Sequence, residues 1–233
     1  MGAGLLLGLT GCDLYQNDVD SMLAPPVLSE LQTEVNEALQ DVVGQDFRLC
    51  YPTGGSYRSP YIFADLDGDK NEEAVVFYTV EDEPLIYLQI LDKTEGRWRA
   101  GNALPGTDGK VLYVDFRHLS DDGVTDLLVG WRSADAESDT LYLYRFRNGT
   151  LSEEFHVSCD GMAIADFNGD GAEELIAATL DGGVTLQLIG WGSSGISVLD
   201  SAYSSLRMQS LLGSVAGMIA PQQPGAAFYG RVN

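Results

Sequence analysis

Three aspartates, Asp65, Asp115 and Asp166, each follow a short apolar run, and they stand 50 and 51 residues apart. Each leads into a polar, acidic turn and then a second apolar run. A repeat of that length constrains the fold strongly. One unit cannot bury its apolar face alone, so like units must stack and share cores.

The runs are short and rich in β-branched and aromatic residues, which suits strands. They are Tyr61–Ala64, Ala74–Tyr78 and Leu85–Leu91 in the first unit, then Val111–Val114, Leu127–Trp131 and Leu141–Phe146 in the second. Met162–Ala165, Leu175–Ala178 and Val184–Ile189 make the third. Asn148-Gly149 marks a tight hairpin turn. A period of this size with about four strands per unit predicts a mainly β, propeller-like array of four-stranded antiparallel blades over 47–233. The blades are placed at about 57–103, 104–150 and 151–203, with a partial fourth at 204–233. Projected onward, the period lands near Ala216, where no acidic turn occurs, and Ala226–Asn233 reads as a strand cut off in progress. Either the N-terminal helix and the tail cap an open array, or the sequence belongs to something longer.

One helix is expected ahead of the repeats, within 27–46. Ser29 and Gln32 have the form of a capping box, Leu31, Val35, Leu39 and Val42 make an apolar stripe, and Gly44 is a natural stop. The spacing predicts a helix over 30–43. Before it, residues 12–26 read as a polar spacer ending in Ala24-Pro25-Pro26. Leu9-Thr10-Gly11-Cys12, after the apolar run Leu5–Leu9, resembles the bacterial lipobox. That resemblance implies a signal peptide over 1–11, lipidation at Cys12 and an extracytoplasmic, membrane-anchored protein. The apolar run is too short to span a bilayer, and no Lys or Arg precedes it, a departure from the usual signal peptide. Cys50 and Cys159 remain, and both a disulfide and two buried thiols fit the sequence.

The turns carry the chemistry. The first reads Asp65-Leu66-Asp67-Gly68-Asp69-Lys70-Asn71-Glu72-Glu73, and the third reads Asp166-Phe167-Asn168-Gly169-Asp170-Gly171-Ala172-Glu173-Glu174. Counting from the first aspartate, oxygen-bearing side chains fall at positions 1, 3, 5 and 9 in both. Calcium takes six to eight oxygen ligands, and the backbone carbonyl of Asn71 or Ala172 at position 7 would add one. Carboxylates packed this closely repel one another unless a cation sits among them. Structural Ca2+ is therefore expected on Asp65, Asp67, Asp69, Asn71 and Glu73, and on Asp166, Asn168, Asp170, Ala172 and Glu174. Position 12 is Val76 or Ala177 and the flanks are strands, so this is no EF-hand. The middle copy, Asp115 to Asp126, has about two extra residues and a basic pair, Arg117-His118. It is expected to keep the fold without the metal.

Phe63-Ala64-Asp65 through Val76 and Ile164-Ala165-Asp166 through Ala177 resemble the calcium hairpin of FG-GAP or VCBS-type repeats, the blades of integrin α-subunit propellers. The resemblance implies a propeller blade with calcium held structurally in its hairpin. Lys70 stands where such turns usually have glycine. A broader likeness is to uncharacterised lipoproteins of anaerobic Gram-positive gut bacteria. It rests on Leu23–Pro26, the helix, Tyr51-Pro52, Tyr57–Ser59 and Glu73–Tyr78, and implies no activity.

The chain carries 35 acidic and 13 basic side chains, a net charge of −22, which argues against nucleic acid as a partner. Enzyme chemistry finds little footing. The two histidines, His118 and His156, lack ligand spacing, and no nucleophile elbow is present. Gly190–Gly195 lacks the lysine and helix start of a phosphate loop. The expectation is a non-enzymatic binding or scaffolding module at the cell envelope, with a protein or glycan ligand. Trp131, Tyr142 and Tyr144 are candidates for a contact face, although core packing suits most of them. An envelope or glycan hydrolase, or its accessory subunit, is the alternative.

Overall fold

Turn chemistry and alternation divide the chain into one helix and three antiparallel sheets in the computed structural model, which describes residues 28–120, 122–205 and 227–230. The expected signal peptide, the spacer and Cys12 lie outside the described residues. Helix α1 spans Glu30–Val43, with Ser29 and Gln32 forming the reciprocal capping box and Gly44 closing the C-terminus. Val35 and Leu39 are fully buried against the first sheet, in a cluster with Tyr61, Ala74, Val76, Tyr78 and Leu91. Outside that contact, Glu34 accepts hydrogen bonds from Lys93 (2.9 Å) and the Trp98 indole (3.1 Å), which fixes the helix's rotation.

The first sheet contains β1 (Phe47–Cys50), β2 (Tyr61–Ala64), β3 (Glu73–Val80), β4 (Ile86–Thr94) and β5 (Arg97–Pro105). Both β1 and β2 pair with β3, end to end: Cys50 lies opposite Phe77 and Tyr61 opposite Val76. They act as a single edge strand interrupted by residues 51–60. That excursion reaches the neighbouring sheet, where the Thr53 and Gly54 amides donate to the carbonyls of Val111 (3.1 Å) and Leu112 (2.7 Å).

A meander of β6 (Lys110–Arg117), β7 (Asp126–Arg132), β8 (Asp139–Arg147) and β9 (Thr150–Cys159) forms the second sheet. Asn148 and Gly149 both take positive φ, 51° and 73°, as a two-residue hairpin turn of the type that matches strand twist requires. That tight turn returns β9 onto β8, so residues 150–159 belong to the second sheet and not to a third blade beginning at 151.

The third sheet has the order β13 (Gly195–Ser204), β12 (Val184–Gly192), β11 (Glu174–Leu180), β10 (Gly161–Ala165), β14 (Ala227–Gly230). Of the partial fourth blade expected over 204–233, the strand described beyond β13 joins this third sheet instead. This strand, β14, lies antiparallel beside β10, with Ala227 opposite Ile164 and Gly230 opposite Gly161. The free edge of β10 offers a row of backbone donors and acceptors, and β14 pairs with them.

Adjacent sheets share cores. One cluster joins Ile62, Val75, Phe77 and Leu88 of the first sheet to Val114, Leu127, Val129 and Trp131 of the second. A second joins Leu128, Leu141 and Leu143 to Met162, Ile164, Leu175 and Ile189 of the third. Leu128 packs toward one neighbour while Leu127 and Val129 pack toward the other, so the middle sheet is apolar on both faces. Cys50 borders the first cluster and Cys159 lies in the second, and both thiols are free. Burial pushes the Cys159 thiol up to about 12.

Leu39→Ala should cost about 2–5 kcal/mol, the price of a cavity between α1 and the first sheet. A lowered urea midpoint with an unchanged slope is the expected result. An unchanged midpoint would show that the helix does not seal that sheet.

Candidate metal centre

In the first turn the sequence folds around its own carboxylates. Asp65 leaves β2 and accepts from the amides of Gly68 (2.8 Å) and Lys70 (3.0 Å). Asp67 accepts from Asp69 N at 3.1 Å, and Asp69 accepts from the Asn71 amide (2.7 Å) and Asn71 Nδ2 (3.0 Å). These side-chain-to-backbone bonds curl the loop. Lys70 takes φ +74°, a left-handed conformation that costs a side-chain-bearing residue about 1 kcal/mol. The matching position in the third turn is Gly171, φ +94°.

Glu73 opens β3 opposite Ala64 and is 0% exposed. Its Oε2 accepts from Leu66 N at 2.7 Å, while Oε1, equally buried, has no hydrogen-bond partner. Ligand oxygens of Asp65, Asp67 and Glu73 all lie within 4.8 Å of one another, the one such group of three among the described residues. Burial, followed by the negative charges of Asp67, Asp92 and Asp69, pushes the Glu73 carboxyl up to about 7 against the opposing Leu66 amide. Asp67 is raised as well, chiefly by desolvation. An orphaned buried carboxylate oxygen facing two more carboxylates fits a hard cation with oxygen ligands. Of the five residues expected here, the structure gathers Asp65, Asp67 and Glu73; the side chains of Asp69 and Asn71 bond to each other.

The third turn repeats the backbone scheme with a different closure. Asp166 accepts from Gly169 N (2.6 Å) and Gly171 N (3.0 Å), and Glu174 Oε2 from Phe167 N (2.8 Å). Asn168 replaces Asp67. Its Nδ2 donates to Glu174 Oε1 at 2.7 Å and to Asp170 Oδ2 at 2.9 Å, so an amide bridges the carboxylates at positions 5 and 9 of this turn. An ion here would have to displace both bonds. Ala172 contributes its amide to Asp170 at 2.9 Å.

The middle turn corrects the spacing read from the sequence. Asp115 lies within β6, opposite Leu128, and does not open the turn. The equivalence is set by the closing carboxylate: Asp126 accepts from Leu119 N at 2.8 Å, as Glu73 does from Leu66 and Glu174 from Phe167, each seven residues apart. The turn therefore runs from His118 to Asp126 at the same length as the others. Gly123, φ +78°, falls at the position of Lys70 and Gly171. Phe116 and Arg117 are the paired end of β6, opposite Leu127 and Asp126, so the turn carries no insertion. Within this turn Arg145 of β8, 1% exposed, donates to Asp126 (2.5 Å), Asp122 (2.8 Å) and Ser120 (2.6 Å), which occupy positions 9, 5 and 3.

The three turns lie in a row. Thr125 donates through Oγ1 to the Asp65 carbonyl (2.7 Å) and through its amide to that of Leu66 (3.1 Å). One repeat further on, Glu173 N donates to the His118 carbonyl at 3.3 Å. Asp115 in turn pairs with Arg117, which reaches Glu173 at 3.2 Å. Sequence reasoning missed Asp92 and Arg145, because each acts from a strand that no turn motif includes. The one available signal was a charge on an otherwise apolar strand: Asp92 directly follows the run Leu85–Leu91, and Arg145 interrupts the run Leu141–Phe146.

Without divalent ions, the raised Glu73 carboxyl makes stability depend on pH. A folded value of about 7 against 4.5 leaves the native state holding a proton that the unfolded chain has lost. Stability is thus greatest below the unfolded value and falls as pH rises through about 7, by up to about 3 kcal/mol. In chelator-containing buffer Glu73→Gln should lack this component, so the melting curves of variant and parent should diverge between pH 5 and pH 8. Parallel curves would refute the assignment. The chain matches no protein-family model and no curated protein.

Proposed function

We propose that this chain is an exported surface lipoprotein whose three sheets are blades of a propeller-like array, of the FG-GAP or VCBS repeat type, stiffened by calcium in its acidic turns. Its role is binding or scaffolding at the cell envelope, for a protein or glycan ligand. The observation that carries the reading is the Glu73 carboxylate: it is fully buried, its Oε1 is orphaned, and one of its oxygens lies within 4.8 Å of oxygens of Asp65 and Asp67. Oxygen-only donors in a flexible turn suit Ca2+ better than a transition metal, which favours imidazole or thiolate.

Three further features support it. The turns sit side by side on sheets that share cores, so a cation in one stiffens its neighbours' backbone as well. The protein's negative charge is large, and among the described residues no cationic side chain bonds to the three converging carboxylates of the first turn. Among the described residues no helix is long and apolar enough to cross a membrane, so attachment there would fall to the lipid on Cys12.

A ligand that binds only the folded state stabilises it by about 2.7 kcal/mol at a hundredfold excess over Kd. Calcium should raise the melting temperature of the full chain, and Asp67→Ala combined with Asp170→Ala should abolish the rise. A wild type indifferent to calcium would overturn the metal assignment. The anchor is tested separately: Cys12→Ser should move the expressed protein from the membrane to the soluble fraction, and an unchanged partition would count against lipidation.

A further inference from the structure

Each turn closes on a buried carboxylate at the start of a strand, and the next strand of the hairpin sets a different residue beside it. Extending the pairs Ala74–Leu91, Leu127–Tyr144 and Leu175–Ile189 by one step puts Asp92 opposite Glu73, Arg145 opposite Asp126 and Gly190 opposite Glu174. The three positions are structurally equivalent and chemically unlike. Arg145 fills its turn with a guanidinium that bonds positions 3, 5 and 9, and the ring of Trp191 from the third sheet covers it, 4.1 Å from centroid to guanidinium carbon. Asp92 sets a further carboxylate opposite the carboxylate that closes the first turn. At Gly190 a Cβ would stand 3.1 Å from Glu174 Cγ, so the third turn has no side chain in this place at all.

We propose that this one cross-strand position selects what each turn holds. Asp92 commits the first turn to a divalent cation, Arg145 supplies the second turn's cation from within the chain, and Gly190 leaves the third turn to the weaker closure by Asn168. The inference rests on reading the acidic turns as cation sites and adds a rule for which of them need an ion from outside. A guanidinium reproduces the charge and several of the contacts of a bound ion, but it cannot dissociate. The middle blade therefore keeps its turn at any calcium concentration, while its neighbours respond. Arg145 also links two sheets through Trp191, which places the ion-independent turn at the centre of the row.

The reciprocal exchanges Arg145→Asp and Asp92→Arg test the rule on the full chain, stripped with chelator and titrated with CaCl2 by calorimetry, with circular dichroism as the control for folding. Arg145→Asp should bind one ion more per chain than wild type and should need calcium to regain the wild-type melting profile. Asp92→Arg should bind one fewer and lose the calcium response of the first turn. If Arg145→Asp folds but gains no ion, the rule is overturned. Should that variant stay unfolded at every calcium concentration, Asp92→Arg decides: an unchanged stoichiometry overturns the rule and the loss of one ion upholds it. Wild type binding nothing would sink the calcium reading of the native turns together with Asp92's part of the rule, and an ion gained by Arg145→Asp would still uphold Arg145's part. Neither binding would sink both.

Discussion

A carboxylate buried at the foot of a strand is the interaction on which the array depends. Glu73, Asp126 and Glu174 each accept the amide of the residue seven positions earlier, and each is at most 4% exposed. That bond folds the turn back on the strand it leads into. It also sets up an electrostatic demand, since a charge out of water must be paired, neutralised or coordinated. The second oxygen meets the demand differently in each repeat: Asp126 with Arg145, Glu174 with the Asn168 amide, and Glu73 with no hydrogen-bond donor among the described residues.

The position of the turns is inseparable from how the sheets pack. Leu66 and Leu119 follow the opening residue of their turns and are fully or almost fully buried, Leu66 in the core between the first two sheets and Leu119 in the core between the last two. The first two turns are thus nailed to an intersheet core by their second residue, and all three are closed by their ninth. The bonds from Thr125 to the first turn and from Glu173 to the second then repeat a single step along the row. A change in one turn's rigidity reaches the next through backbone hydrogen bonds, and no separate relay is needed. At one end of the stack α1 covers the outer face of the first sheet.

Much of this was legible in the chain. The helix boundaries followed from a capping box, an apolar stripe and a stop, all local signals. Inner and central strands were visible as apolar runs because both of their faces are buried. Outermost strands were not: β5, β9 and β13 alternate or are largely exposed, so they carry no apolar run to detect. For the same reason β9 was assigned to the wrong unit, although the Asn148-Gly149 turn that returns it to β8 was plain. The middle turn was misaligned because Asp115 has the chemistry of a turn opener while its backbone is paired in β6.

By itself the sequence determined what is local: a β-rich repeat, one capped helix, and turns whose aspartates bond their own backbone amides. Tertiary structure alone decided which oxygens converge and what faces them. Asp92, Arg145 and Gly190 occupy equivalent places in sequence terms too far from their turns to be read with them, and only strand pairing brings each beside its closing carboxylate. The physical reason is that charge acts through space and over a few ångströms, whereas a motif records only neighbours along the chain. Three turns of one length, built on one backbone scheme, thus come to hold their negative charge in three different ways.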